Sequence, residues 1–295
     1  SVLLVTVLLL LQLEKHAQSK QRFFTTRSAG AKLSRETTSA RSHKAWALLA
    51  VGCIPVGLGF VLPSAILLWH WLSDPQMADT QRYWQWGWNS LKLAAITAVL
   101  AVGLALWMGA RNRLTPSPLG RALSRVIHTG YAIPGAVVVV GILWPLSWTQ
   151  HIAAWQPLGA LLITSGVALI WAYLVRFTSV AMQSVDNGYA RIPPSLDEAS
   201  RTLGLTGWPL WRRVHQPLLR ANIASALLLV FVDVMKELPA TLVLRPFDSD
   251  TLAVVAYQLA RDERLGEAAL PSLALVAFGL IPVLLLSKRP RRQQA

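Results

Sequence analysis

Charge is what this chain most conspicuously lacks. Only 14% of its 295 residues are Asp, Glu, Lys or Arg, 54% are hydrophobic, and the mean hydropathy is +0.44. A soluble domain carries about a quarter charged residues. Too few remain here to cover a water-facing surface, so lipid must solvate much of the chain. Cysteine is nearly absent too. Cys53 stands alone in an apolar run, which excludes an intrachain disulfide and reads as a small buried hydrophobe. Acid is scarce beside base, 14 residues against 28, for a net charge of +14. Yet the bases lie between apolar runs with no aromatic–basic platform among them, which is a membrane protein's pattern and not that of a nucleic-acid binder. There is no Gly-Lys dipeptide and hence no phosphate-binding P-loop; there is no His-Glu-x-x-His, and the six histidines are scattered. We therefore expect no catalytic residue, no metal and no bound cofactor in this chain.

What is present is a series of long apolar stretches. They run over roughly 46–71, 88–110, 130–148, 158–176, 222–244 and 268–287. Backbone groups cannot stay unpaired in hydrocarbon, and period-2 alternation is missing, so the runs predict helices and not barrel strands. The expected fold is all-α, a polytopic transmembrane bundle of about six spans over 46–287. Residues 1–13 are apolar but fall short of the roughly 20 needed to cross. They lack the basic start and cleavage site of a signal peptide, and read as the tail of a truncated transmembrane helix. Residues 14–45 are Ser/Thr-rich and basic without apolar periodicity, as a linker would be. Residues 288–295 form a basic tail.

The loops give the orientation. With 14–45 cytoplasmic, strict alternation puts 111–129, 177–221 and the tail on the same side. Those four segments, counting Arg176 at the edge of one, hold 22 of the 28 Lys and Arg. The opposite loops hold Arg82, Arg245, Arg261 and Arg264 beside seven acids. Such asymmetry follows the positive-inside rule. Trp69, Trp71, Trp84, Trp86 and Trp88 cluster at one outer boundary, and Trp144, Trp148 and Trp155 at another, where amphipathic rings prefer the headgroup level.

Two features interrupt the apolar runs. Pro134 and Gly135 open the third run, and Pro239 sits in the fifth, so each is either an ordinary kink or a broken helix lining a path. Asp233, Lys236 and Glu237 lie inside the fifth run, where a charge costs roughly 2.5–3.5 kcal/mol even on lenient scales. Helical spacing lets Lys236 pair with either acid. The patch is then either an ion-pair lock between helices or a polar face of a translocation path.

The segment 186–220 is long without being low in complexity. It contains SLDEASRTLGLTGWPLWRRVHQPLL. Ser195 with Glu198 three residues on predicts a capping box, Gly204 either ends that first short helix or bends the chain, and a second helix runs from about Leu210 until Pro217 breaks it. Leu203, Leu205, Trp208 and Trp211 are expected on the outside. His128 and His215 are expected to be solvated or capping. By pattern alone the pair is either a docking knob or an amphipathic pair lying on lipid.

This segment resembles the signature of binding-protein-dependent ABC importer permeases: Glu-Ala-Ala, three residues, Gly, nine residues, Ile-x-Leu-Pro. Glu198, Ala199 and Ser200 stand for the triplet, Gly204 keeps its spacing, and Val214, His215, Gln216 and Pro217 close the pattern. Ser200, Val214 and Gln216 depart from it. YAIPGAVVVVGIL, FVDVMKELPATLVLRPF, DTLAVVAYQLA and LIPVLLL are in turn similar to the C-terminal half of fused iron(III)-importer permeases. The resemblance implies a multi-pass protein of a bacterial inner membrane whose Glu198–Pro217 loop enters a groove on a cytoplasmic ATPase dimer. It also implies a second permease half and a periplasmic substrate-binding protein as partners, with ATP used by the ATPase alone. Iron(III) is the implied cargo; thiamine, phosphonate and polyamine carriers look alike. Asp233, Lys236, Glu237, Pro239 and Pro134 are then the path candidates. An ion-coupled secondary transporter would instead use Asp233 and Glu237 as ion sites and have no need of the loop, while a membrane enzyme would show a catalytic constellation.

The charge asymmetry yields a direct check. In a Cys53→Ser background, single cysteines at Thr80 and Ser249 should react with impermeant maleimide from outside. Cysteines at Thr206 and Gln293 should react only after permeabilisation. Reversed labelling would overturn the orientation.

Overall fold

The computed structural model describes residues 43–73, 80–152 and 155–287. The expected helix tail 1–13, nearly all of the linker 14–45 and the basic tail 288–295 lie outside the described residues. Among the described residues every regular element is helical, as hydrocarbon requires of an open chain. The chain divides into two compact units at Val56 and Gly57. In the first, α1 spans His43–Val56. Cys53 is exposed on it, not buried as expected: an apolar helix face that meets lipid has no need of a protein core.

The second unit opens with a π-helical turn, Gly57–Val61, followed by α2, Leu62–Ser73. Then come α3 (Thr80–Leu114), α4 (Pro118–His128), α5 (Gly135–His151), α6 (Gln156–Thr164) and α7 (Val167–Tyr189). Next are α8 (Pro194–Thr202), the single turn α9 (Gly207–Leu210) and α10 (Gln216–Met235). The chain ends in α11 (Pro239–Leu244), α12 (Leu252–Arg261) and α13 (Leu265–Ser287). Four helical stretches are long and apolar enough to cross a membrane: Leu49–Ser73, Arg82–Leu114, Val167–Tyr189 and Gly207–Met235. The stretch Pro118–Ala132 with Gly135–Thr149 adds a fifth if its 114° bend is counted as one span. The sixth apolar run is the long helix α13.

Several boundaries differ from the sequence pattern, for reasons local to each. The run at 158–176 is not one helix: Gly166, at φ +76°, separates α6 from α7. From there α7 continues to Tyr189, beyond the expected edge at 176, because Thr178, Ser179 and Asp186 keep the helical period although they lower the hydropathy. Pro239 does not merely kink the fifth run. The helix stops at Met235 and a separate α11 begins at Pro239. The basic stretch 111–129, expected as a loop, is largely the amphipathic α4, capped by the Ser117 hydroxyl accepting from Gly120 N–H at 3.0 Å.

The core is built from α3, α7 and α10, which pack on one another. Ala94, Ala98, Ala101 and Ala105 make a buried stripe on α3, facing Leu169, Ala172, Tyr173, Phe177 and Met182 of α7 and Ala226 and Val230 of α10. Small side chains allow backbones to approach closely, which is what holds helices together once lipid has removed the hydrophobic drive. Val99, Trp107 and Val140 lie exposed on the outer faces, as suits a lipid surface.

Hydrogen bonds fix the two ends. At one, Asn89 donates to the carbonyls of Asp248 and Asp250, and Ser90 accepts from Leu252 N–H at 2.8 Å. At the other, Arg113 meets Asp197 and Ile192. The acid-rich loops therefore gather at one end of α3 and the basic ones at the other, matching the charge pattern.

Close packing at Gly130 is testable. A Cβ there would collide with the Val175 carbonyl, which is backbone and cannot swing aside, whereas one at Gly103 on α3 would meet nothing within 4 Å. Gly130→Ala should cost about 1–3 kcal/mol, read as a lowered Tm in detergent. Gly103→Ala should be neutral or gain up to about 1 kcal/mol of helix propensity. Equal melting temperatures for the two variants would overturn this account.

Candidate functional site: the inner loop and the intramembrane ion pairs

The loop after α7 turns at Arg191–Ile192 and enters α8 through Pro193 and Pro194, whose fixed φ suits a helix start. Ser195 is not the cap. Pro193 occupies that position and no side chain caps the helix, so the expected Ser195–Glu198 box does not form. The helix does end where the glycine predicts. Gly204, at φ +78°, donates its N–H to Arg201 O, and Leu205 N–H reaches back to Ser200 O, both at 3.0 Å. This left-handed closure satisfies the last carbonyls.

The second helix does not stop at Pro217. A π turn, Trp211–His215, links α9 to α10, with Gln216 N–H bonding Trp211 O five residues back, and Pro217 sits in the first turn of α10. Proline clashes with the carbonyl four residues before it, and a widened turn makes the room that an α turn lacks.

Burial divides the signature residues. Glu198, Ala199, Gly204 and Pro217 are exposed, Val214 is half-buried, and Ser200 is buried with its hydroxyl returned to Leu196 O at 2.8 Å. Leu203 and Trp208 face outward at 81% and 65% exposure, and Leu205 is half-buried. Trp211 is buried instead of exposed, stacked on Trp208, with its Nε1–H donated to the Tyr189 hydroxyl at 3.2 Å.

The sequence reading missed what lies beneath this knob. Asp197 is buried, its Oδ2 taking a bond from Arg113 Nε at 2.6 Å and its Oδ1 one from His215 Nε2 at 2.9 Å. Arg113 Nη2 also donates to Ile192 O at 2.9 Å. His215 is wholly buried against the edge of Tyr189, not solvated as expected. His128 likewise has a partner, Asp186 Oδ2, at 2.9 Å. Burial pushes the Asp197 carboxyl up, but the bonds from His215 and Arg113 outweigh it and hold it below the ordinary carboxylate range. The group therefore stays ionised at neutral pH, and His215 Nε2 carries the donated proton.

Further along the helices the structure resolves the charged patch into two pairs. Lys236 bonds Asp233 at 2.8 Å and is itself 63% exposed. Glu237 turns away from Lys236 and pairs with Arg176 at 2.5 Å, and both are largely buried. Arg176 is thus not a loop residue. It lies midway along α7, with the Tyr131 and Phe177 rings 6.0 and 5.2 Å from its guanidinium carbon. A Cβ on Gly135 would lie 2.8 Å from Glu237 Oε1 and 3.0 Å from Arg176 Nη1. The break at Pro134–Gly135 and the break before Pro239 therefore converge on one ion pair. Glu237 also accepts from Ala240 N–H at 3.3 Å, its carbonyl takes the Thr241 hydroxyl at 2.7 Å, and Tyr173 donates to Thr241 at 2.6 Å. Among the described residues no cluster of His, Cys, Asp and Glu has the form of a metal site.

Comparison with known proteins agrees with this architecture. The Fe(3+)-transport system permease protein FbpB 2 of Haemophilus influenzae is 28% identical over 230 residues, which cover 76% of this chain but 43% of that protein. The chain thus spans less than half the length of that relative. A putative 2-aminoethylphosphonate transport system permease protein, PhnV of Salmonella typhimurium, is 27% identical over 232 residues, covering 79% of this chain and 83% of PhnV. Among solved structures, a bacterial ABC transporter that imports the acidic polysaccharide alginate has the same fold, with a TM-score of 0.64 at 17% identity over 85% of this chain and 96% of that one. Residues 101–288, which include the loop, the ion pairs and most of the core, match the family model, and the chain belongs to the binding-protein-dependent transport system inner membrane components.

Proposed function

We propose that this chain is the membrane-embedded half of an ATP-driven importer in a bacterial inner membrane, docking an ATPase through Glu198–Pro217 and carrying iron(III) handed over by a binding protein. One observation carries the reading: α8 and its Gly204 closure leave Glu198, Ala199 and Leu203 exposed on a short helix, at the end of the bundle where the basic loops gather. A surface helix exposing a leucine and small residues suits a protein groove better than bulk water. An ATPase subunit and a second permease half are the partners this implies, with ATP consumed by the former. The FbpB 2 relative favours iron(III) as cargo, and PhnV makes 2-aminoethylphosphonate the alternative.

The loop can be tested without touching the core. Glu198→Arg and Ala199→Asp alter exposed positions, and with no capping box to lose they should change stability by less than about 0.5 kcal/mol. Both variants should reach the membrane in normal amounts, fail to retain the ATPase on co-purification and lose ATP-dependent uptake. Wild-type retention and uptake in both would sink the docking role.

For the path, the two ion pairs are given different work. The Lys236–Asp233 pair, whose lysine is exposed, faces the route with the backbone breaks at Pro134 and Pro239, and the buried Arg176–Glu237 pair locks the breaks together. Lys236→Met should then change uptake of ferric ion, measured against 2-aminoethylphosphonate as competing cargo, with little change in Tm. Glu237→Gln should leave Arg176 buried and unpaired, at a cost of about 3–5 kcal/mol, seen as lost abundance and a lowered Tm. The opposite assignment of effects would exchange the two roles.

A further inference from the structure

We infer that Asp197 is the joint through which movement of the docking loop reaches the membrane helices, with Arg113 and His215 as its two positioning partners. The inference rests on the reading of Glu198–Pro217 as the docking loop. With nine residues, α8 is too short to hold its own orientation. Its outer face is left to a partner, and its inner face has one charged anchor, Asp197. The two oxygens of that carboxylate are divided between two helices. Arg113 stands in the last turn of α3, and His215 closes the π turn that feeds α10. Arg113 also holds the Ile192 carbonyl, so the turn leading into α8 is tied to the same guanidinium.

Both of these helices lead somewhere. Twenty-four residues back along α3, or about 36 Å at 1.5 Å per residue, Asn89 holds the loop at Asp248–Asp250. Twenty-two residues on from His215, α10 has ended and Glu237 makes the ion pair at the helix breaks. A single buried carboxylate therefore connects the exposed knob with the far loops by one route and the intramembrane breaks by the other. Apolar contacts let helices slide over one another at little cost. Charge-assisted bonds of 2.6 and 2.9 Å are directional, so a displacement of α8 must carry the ends of α3 and α10 with it. Tyr189, edge-on to His215 and bonded by Trp211, brings the end of α7 into the same cluster.

A joint and a structural staple predict different results when docking, hydrolysis and uptake are read separately. The full-length transporter, with its second half, ATPase and binding protein, is reconstituted in liposomes. ATPase retention, ATP hydrolysis and uptake are measured for wild type, Asp197→Asn, Arg113→Lys and the double variant Arg113→Met/Asp197→Leu. The double variant removes both charges and fills the space with apolar groups, leaving only the neutral His215 ring without its bond, so it costs less stability than Asp197→Asn, which strands the Arg113 charge. The expected result is ATPase retained at the wild-type ratio and hydrolysis still running, with uptake per ATP down about tenfold in the double variant. Arg113→Lys, which keeps the charge but loses the fork, should fall in between. Wild-type uptake per ATP in the double variant overturns the inference. So does a loss of uptake that only follows the amount of folded protein. If the wild-type chain itself retains no ATPase, the docking reading falls first and the joint falls with it.

Discussion

Hydrocarbon offers no water to a free backbone N–H or C=O, and the rest of this structure follows from that. Wherever a helix stops inside the bundle, something else must take up the groups it releases. At Pro134 the proline has no N–H to leave stranded, and Val137 and Val138 return their N–H groups to its carbonyl. Before Pro239 the Glu237 carboxylate takes Ala240 N–H while its own carbonyl is covered by Thr241. The second break thus needs a charged side chain, and that charge needs Arg176. The ion pair in the middle of the bundle serves the backbone first, and any role in transport builds on an arrangement the solvent already demands.

The fold was largely legible because hydropathy reports the solvent directly. Apolar runs, interfacial tryptophans and one-sided bases all respond to the bilayer, and the structure's two ends sort accordingly. Gly204 was legible because a left-handed residue at a helix end has few alternatives to glycine. The departures share a cause. Pro217 and Gly166 have effects that depend on whether neighbouring turns widen or swing, which no local pattern encodes. Asp186, Thr178 and Ser179 lower the hydropathy of α7 without breaking its period, so the span looked shorter than it is.

Arg176 and Asp197 were missed for a different reason. The rule that singled out Lys236, that a charge inside an apolar run needs a partner, applies equally to Arg176 within IWAYLVRFTSVAM. Placing the run's edge at that arginine concealed it. Asp197 stands beside Glu198 in a polar segment where an acid attracts no notice, and its partners are 84 and 18 residues away. Long-range pairing of ordinary-looking charges is the part of a site that a single sequence carries least openly.

The π turn at Trp211–His215 has a further implication for how such loops diversify. Each residue advances an α-helix by about 100°, and a π turn accommodates a residue more than its α counterpart. The azimuth of the knob about the axis of α10 is therefore set by a residue count as well as by side-chain identity. Losing one residue there would restore a regular turn at nearly the same azimuth but set the Pro217 ring against the carbonyl four residues before it, whereas losing one from a regular turn of α10 would rotate Glu198 and Ala199 by about 100°. Changes of length beside this turn therefore redirect the exposed face of α8 more than any single change of side chain.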